Sequence, residues 1–360
     1  MTRATRDPEE LGPSGALGSG TSHFADDSSA SLPKRALAER PIIELAPRVI
    51  ERPFIPLATQ TPVEPLTGFP NRVWVKRDDL SATRYGGNKV RRWEWILGDA
   101  RARGAASLLT VGGLGSTQVV SLAAHGPPHG FGVHAVLYDQ EDSAFVRAGP
   151  GSAVRFGATV QYAGGYASTA LATVKALAAR PGTYFVPPGA MGALANLSYV
   201  DGLLELKAQV DAGLAPKPDA IVVACGSGGT ASALALGAAL ASWDVEIIAV
   251  RITEAFASNT LTLGAQVRAT EKLLRKLGCT ARRSRLRLRI EPRFTGPGYG
   301  TATPEARRGA RRFEEAFGVV GEVTYSGKAF AALEQFTREE PTKTALLWNT
   351  LSTTGRATLT

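Results

Sequence analysis

The chain has 360 residues, 44% of them hydrophobic and 20% charged, so it can bury a sizeable core and form two domains. Its two cysteines, Cys225 and Cys279, exclude a disulfide framework and contain no CxxC pair, and none of its four histidines stands in HExxH spacing, so no metal is expected. The formal net charge of +9 invites a nucleic-acid partner, but most of the arginines read as solvated faces, which argues against one.

In chain order, Asp7 to Ser31 is rich in Gly, Ser, Asp and Pro and reads as disordered, and the expected tail covers residues 1–45. It has no apolar h-region before Asp7-Pro8-Glu9-Glu10, which argues against a secretory signal. No apolar run approaches the ~18 residues of a membrane span, so a cytoplasmic protein without membrane contact is expected. Val73 to Lys76 reads as a strand. A helix follows from Asn88, a favoured N-cap, with Val90, Trp93, Ile96, Leu97 and Ala100 at helical spacing until Gly104.

Further strands are expected at Ser107 to Val111, Val133 to Tyr138, Thr159 to Tyr162, Tyr184 to Val186, Ala220 to Ala224, Val245 to Val250 and Ala345 to Trp348. Helices alternate with them at Ser116 to Ala124, Ala167 to Ala179, Leu194 to Ala212, Thr230 to Ala241, Leu261 to Leu277 and Pro304 to Phe317. The last has Thr303 as N-cap and Pro304 at its first position. Arg283, Arg285, Arg287 and Arg289 alternate with Leu286, Leu288 and Ile290, the period of a half-buried strand with a charged outer face. Arg307, Arg308, Arg311 and Arg312 share a helix whose Ala306, Ala310, Phe313 and Phe317 face inward. This alternation predicts an open, mostly parallel α/β sheet with its ligand at the carboxyl ends of strands.

Chemistry concentrates in the turns. Gly86-Gly87-Asn88-Lys89 puts a lysine in a first helical turn, where the positive end of the helix dipole favours its neutral amine, as a Schiff-base lysine requires. The strand ending at Ala224 runs into Cys225-Gly226-Ser227-Gly228-Gly229-Thr230 and a helix, a cradle of backbone N–H groups for a phosphate. It lacks the Gly-Lys-Ser/Thr of a nucleotide P-loop. Glu246, about 20 residues on, leaves a dinucleotide site and a nicotinamide oxidoreductase open, although it falls inside the next strand. Gly112-Gly113-Leu114-Gly115-Ser116-Thr117-Gln118 is a second strand-to-helix turn, able to hold a carboxylate. Tyr299 lies in a glycine-rich loop, Tyr325 opens another helix, and the last strand ends in Asn349-Thr350-Leu351-Ser352.

Taken in order, Lys76-Arg77-Asp78-Asp79-Leu80, Gly86-Gly87-Asn88-Lys89, the Gly112–Gln118 turn, Gly226–Thr230, Gly298-Tyr299-Gly300 with Thr303-Pro304-Glu305, and Tyr325-Ser326-Gly327-Lys328-Ala329 resemble the D-cysteine desulfhydrase / 1-aminocyclopropane-1-carboxylate deaminase family. These are pyridoxal-phosphate enzymes of the tryptophan synthase β fold, fold type II: an open, mostly parallel sheet with a smaller inserted α/β domain. The resemblance covers about residues 50 to 355. It implies a large cofactor-binding domain at 46–90 and 200–360, a small domain at 91–199, and a homodimer. It implies that Lys89 forms the Schiff base with pyridoxal 5'-phosphate, that Gly226, Ser227, Gly228, Gly229 and Thr230 hold the phosphate, that Asn88 sits near the ring hydroxyl and that Thr350 sits near the pyridine nitrogen. Ser116, Thr117 and Gln118 match the substrate-carboxylate loop, and Tyr299 and Tyr325 the catalytic tyrosines facing a small amino-acid substrate. The implied reaction is D-cysteine desulfhydrase-like, releasing ammonia and a 2-keto acid. The alternatives are a deaminase of the cyclopropane amino acid and a divergent homologue that binds the cofactor without turnover. Thr117 stands where the family has asparagine, and Asn349-Thr350-Leu351-Ser352 where it has His-Thr-Gly-Gly. Gln118 fits the deaminases, whereas Ser326 fits the desulfhydrases.

Overall fold

The computed structural model describes residues 33–70, 72–318 and 321–353. Strands β1 (Val63–Pro65), β2 (Val73–Lys76), β3 (Ser107–Gly113), β4 (Gly132–Tyr138), β5 (Ala158–Gly164), β6 (Tyr184–Val186), β7 (Ala220–Cys225), β8 (Glu246–Arg251), β9 (Leu288–Glu291) and β10 (Ala345–Trp348) form two sheets. The larger has the order β1-β2-β10-β7-β8-β9, with only the β1–β2 pair antiparallel. The smaller, β5-β4-β3-β6, is parallel throughout. Parallel strands need crossovers, and the helices that supply them cover both faces of each sheet.

The helices are α1 (Ile42–Leu45), α2 (Lys89–Ala102), α3 (Thr117–His125), α4 (Ala144–Arg155), α5 (Tyr166–Ala178), α6 (Ala193–Asp211), α7 (Gly229–Leu240), α8 (Thr260–Lys276), α9 (Pro304–Phe317) and α10 (Ser326–Glu339). On one face of the large sheet, Leu203 of α6, Leu236 of α7 and Leu274 of α8 share a core with Ile221 and Ile247. On the other, Phe313 of α9 and Phe330 of α10 pack with Val222, Ile248 and Leu347. Those two helices approach closely because Gly309 has no side chain: a Cβ there would lie 2.0 Å from the Gly327 carbonyl oxygen.

Helix α2 is buried all round from Val90 to Ala100. Trp95 joins the core of the large sheet, while Val90, Trp93 and Leu97 join that of the small one. A helix with two apolar neighbours loses the single-sided stripe of a surface helix. Apart from Arg92, its buried charged residues find oppositely charged or polar partners inside the fold. Arg91 bonds Asp78 and Glu205, and Glu94 accepts from Arg40 and from the N–H groups of Leu57 and Ala58. The result is a rigid rod whose first residue is Lys89.

Three expectations need correction, and one helix was not foreseen. Residues 33–45 are held against the core, with Leu37 and Ile42 buried and Arg40 paired to Glu94 and Asp201, although the expected tail extended to 45; the rest of that tail, residues 1–32, lies outside the described residues. Asn88 precedes α2 in helical geometry and makes no capping hydrogen bond. Of the alternating arginine segment only Leu288–Glu291 is strand, since β8 offers it a parallel partner over that stretch alone. Helix α4 was not foreseen because Pro150 and two glycines interrupt its pattern.

Candidate active site

The carboxyl ends of β3, β7 and β10 and the amino ends of α2, α3 and α7 converge on a cavity of about 900 Å³. Its lining includes all thirteen sequence-derived site residues: Asn88, Lys89, Ser116, Thr117, Gln118, Gly226, Ser227, Gly228, Gly229, Thr230, Tyr299, Tyr325 and Thr350.

Lys89 is half-buried, and its Nζ donates to the Gly189 carbonyl oxygen at 3.3 Å. Removal from water, and secondarily the nearby Arg92, push its pKa down to about 7, so near neutrality much of the amine is unprotonated and nucleophilic. The turn before it is tied to the end of β10: Asn88 N–H donates to the Thr350 carbonyl at 3.0 Å, and Gly86 N–H to the Ser352 hydroxyl at 2.9 Å. Gly87, at φ +90°, has no room for a Cβ, which would lie 2.8 Å from the Thr350 oxygen.

The Gly226–Thr230 turn presents its N–H groups at the start of α7, where no intrahelical acceptor exists. Its carbonyls are held elsewhere: Ser227 O accepts from Gln266 Nε2 and Gly226 O from the Thr253 hydroxyl. Gly228 adopts φ +87°. A Cβ on Gly229 would lie 2.8 Å from Asn196 Oδ1 and 2.9 Å from an Arg92 nitrogen, so the backbone can rest directly on that guanidinium.

The sequence reading missed Arg92. It follows Lys89 by three residues and therefore shares its face of α2. Its Nη1 donates to Ala190 O and Asn196 Oδ1, its Nη2 to Thr230 Oγ1, each at 3.1 Å. It forms no ion pair among the described residues, its Nε has no partner, and burial lowers its pKa to about 10. An unpaired buried cation beside a glycine cradle fits a phosphate dianion. The available signal was a third basic residue in the first turn of α2, after Lys89 and Arg91, again against the helix dipole.

Tyr299 and Tyr325 bond through their hydroxyl oxygens at 2.7 Å, and Glu254 Oε1 accepts from Tyr299 N–H. Burial drives both phenol pKa values upward, so the pair keeps its protons at neutral pH. At α3, Ser116 caps the helix by accepting from Val119 N–H, and Thr117 is half-buried at the first position. Gln118 does not fit a carboxylate ligand. Its Nε2 already donates to Thr110 Oγ1 at 2.8 Å and to the Pro187 carbonyl at 3.0 Å, leaving only the acceptor Oε1 without a partner. Glu246 is far from a ribose-binding role: it begins β8 and pairs with Arg289 on the neighbouring strand.

The family model for pyridoxal-phosphate dependent enzymes matches residues 55–350, a span from β1's approach to the end of β10. The chain belongs to this family. Its cofactor is pyridoxal 5'-phosphate, and the Arg92-backed cradle and the Lys89 amine are suited to that cofactor's phosphate and aldehyde. A D-cysteine desulfhydrase of Salmonella paratyphi A is 27% identical over 293 residues, covering 77% of this chain and 86% of its own. Nocardicin C-9' epimerase of Nocardia uniformis subsp. tsuyamanensis is 33% identical over 312 residues, covering 84% and 93%. A solved 1-aminocyclopropane-1-carboxylate deaminase homologue superposes with a TM-score of 0.72 at 25% identity, covering 88% and 95%. The chain is thus a pyridoxal-phosphate dependent enzyme of the desulfhydrase and deaminase family, with the fold type II architecture. No helix among its described residues is long and apolar enough to cross a membrane.

Proposed function

We propose that the enzyme is a lyase that releases ammonia and a 2-keto acid from an amino acid, with D-cysteine-like substrates first and the cyclopropane amino acid second. The observation that carries this reading is one cavity lined by a lysine amine of lowered pKa, a phosphate cradle and a pair of protonated tyrosines. Pyridoxal phosphate, when bound, supplies the electron sink that makes an amino acid's Cα–H bond acidic.

The residues divide the remaining work. The Gly226–Thr230 N–H groups, the Thr230 hydroxyl and Arg92 hold the phosphate. Asn88 and Thr350 line the same cavity, and would serve the ring hydroxyl and the ring nitrogen respectively. Lys89 Nζ, its pKa lowered to about 7 so that part of the amine is neutral at that pH, takes the Cα proton. Tyr325, protonated and backed by Tyr299, gives a proton to the departing group. The amino end of α3, with Ser116 and Thr117, receives the substrate carboxylate. Gln118 Oε1, an acceptor without a partner, suits an N–H of the substrate and not its carboxylate.

Epimerisation at Cα is the second reading, favoured by the 33% identity to nocardicin C-9' epimerase. There the protonated tyrosine would return a proton to Cα on the face away from Lys89. A third reading, cofactor binding without turnover, follows from Thr117 and the altered 349–352 segment. We also assign the sheets to a large domain (46–90 and 200–360) and a small one (91–199), and the protein to a cytoplasmic homodimer. Incubation of the loaded enzyme with both enantiomers of cysteine, with serine and with the cyclopropane amino acid separates the readings. Keto acid release is the expected outcome; interconversion of enantiomers without keto acid favours the epimerase, and inertness toward all of them the third reading.

A further inference from the structure

The inner end of the cavity is polar, but much of the remaining wall is apolar and uncovered. On α5, Tyr166, Ala170, Val174 and Leu177 recur at helical spacing and line the cavity. Ala176 of the same helix packs with Val111 and Val136 in the core of the small sheet. Phe185 of β6, Met191 and Phe256, in the segment after β8, complete the wall. Phe256 is 77% exposed, and Tyr166 and Val174 are each 64% exposed. Large apolar side chains left uncovered inside one cavity mark a surface awaiting an apolar ligand. The polar groups beside them are few. Thr173 Oγ1 donates to the Thr169 carbonyl, and Glu254 Oε1 accepts from Tyr299 N–H.

We propose that this outer chamber receives the side chain of the substrate, and that the substrate is an amino acid carrying a bulky, mainly apolar group beyond its Cβ. The proposal rests on the lyase reading and deepens it. Neither cysteine nor the cyclopropane amino acid reaches beyond the lysine, the carboxylate turn and the tyrosines, so neither covers Val174 or Phe256. An S-substituted cysteine with an aromatic or branched alkyl group does. Its Cβ–S bond breaks with the electron pair released from the Cα–H bond, the thiolate leaves and takes the Tyr325 proton, and the three-carbon remainder adds one water and loses ammonia. A thiol, pyruvate and ammonia result, with no oxidant or reductant required.

The experiment is calorimetric binding of S-benzylcysteine and of cysteine, each as both enantiomers, to the cofactor-loaded protein, with pyruvate release measured in parallel. The benzyl compound of the accepted enantiomer should bind at least about tenfold more tightly than cysteine, because an aromatic ring leaves water. V174D, which places a charge in the apolar wall, should shrink that ratio. Equal or weaker binding of the benzyl compound overturns the chamber. Tighter benzyl binding without pyruvate from any substrate keeps the chamber and removes the lyase reading. Pyruvate from cysteine with the benzyl compound excluded does the reverse.

Discussion

Arg92 Nη2 donates to the Thr230 hydroxyl at 3.1 Å, and the guanidinium reaches no carboxylate among the described residues. A buried charge of this kind is costly until an anion arrives. Arg92→Met should therefore weaken pyridoxal phosphate binding about 10- to 100-fold, the worth of charge-assisted hydrogen bonds, while leaving the cofactor-free fold as stable as before or more so. Titrating wild type and variant with pyridoxal phosphate and with unphosphorylated pyridoxal checks this, since the gap between the two ligands should narrow in the variant.

Lys89 has its pKa lowered to about 7 by burial first and Arg92 second. The folded-state value lies below that of a free lysine, so its neutral fraction rises through pH 7 instead of pH 10. In cofactor-free protein, labelling of Lys89 by an amine-directed reagent should be slow below pH 6 and reach its plateau near pH 8. Mass spectrometry of the labelled peptide across the pH range reads this directly, with surface lysines as the internal control.

Gly189 joins two parts of the site. Its carbonyl accepts from Lys89 Nζ, its φ is +76°, and a Cβ there would lie 2.2 Å from Ser227 Oγ. Gly189→Ala should displace the phosphate turn and strain the 188–190 segment, lowering cofactor affinity by roughly tenfold or more. The ligand-dependent rise in melting temperature is the measurement, compared with wild type at equal cofactor concentration.

The Tyr299–Tyr325 pair is held protonated by burial, which makes it a proton donor at neutral pH. Tyr325→Phe should reduce turnover by about 10²- to 10⁴-fold, the scale of general acid catalysis, without preventing cofactor uptake. Steady-state kinetics together with the visible spectrum of the loaded variant separate loss of chemistry from loss of binding.

His125 is 5% exposed, its Nε2 lies 2.8 Å from the Tyr85 carbonyl oxygen, and burial lowers its pKa to about 4. The unfolded chain then takes up a proton below pH 6.5 that the folded chain refuses. Stability is lost as pH falls from about 6.5 to about 4, by roughly 3 kcal/mol at most. Glu205, held ionised by Arg91 and Lys76, adds its own loss only at still lower pH, because its folded-state pKa is depressed below the ordinary carboxylate value. Urea denaturation between pH 6.5 and 4.5 should show the slope in wild type and a flatter one in His125→Gln.

The cofactor turns were legible because each combines backbone demands with chemistry. Gly228 must reach φ +87°, Gly87 must clear the Thr350 oxygen, and both stand beside residues that line the site. Strands such as Ala220–Cys225 announce themselves by continuous apolar runs bounded by glycine. Arg92 stayed hidden because local sequence cannot tell an ion-paired arginine such as Arg91 from an unpaired one, and only the packing of α2 separates them. Gln118 was misassigned for a similar reason. Thr110 is near in sequence but the Pro187 carbonyl is 69 residues away, so the amide's full commitment appears only when β3 and β6 lie side by side. The apolar wall of α5 resembles any amphipathic helix until its outer face is seen to border a cavity rather than a core.

The central claim is that residue 89 carries the cofactor. Borohydride reduction of the purified, pyridoxal-phosphate-loaded protein, followed by peptide mass mapping, tests it directly. A single phosphopyridoxyl group on Lys89, with loss of the visible band and no such band in Lys89→Ala, is the result this account predicts. A reduced protein with Lys89 unmodified, or a Lys89→Ala variant whose visible spectrum matches wild type, would contradict it.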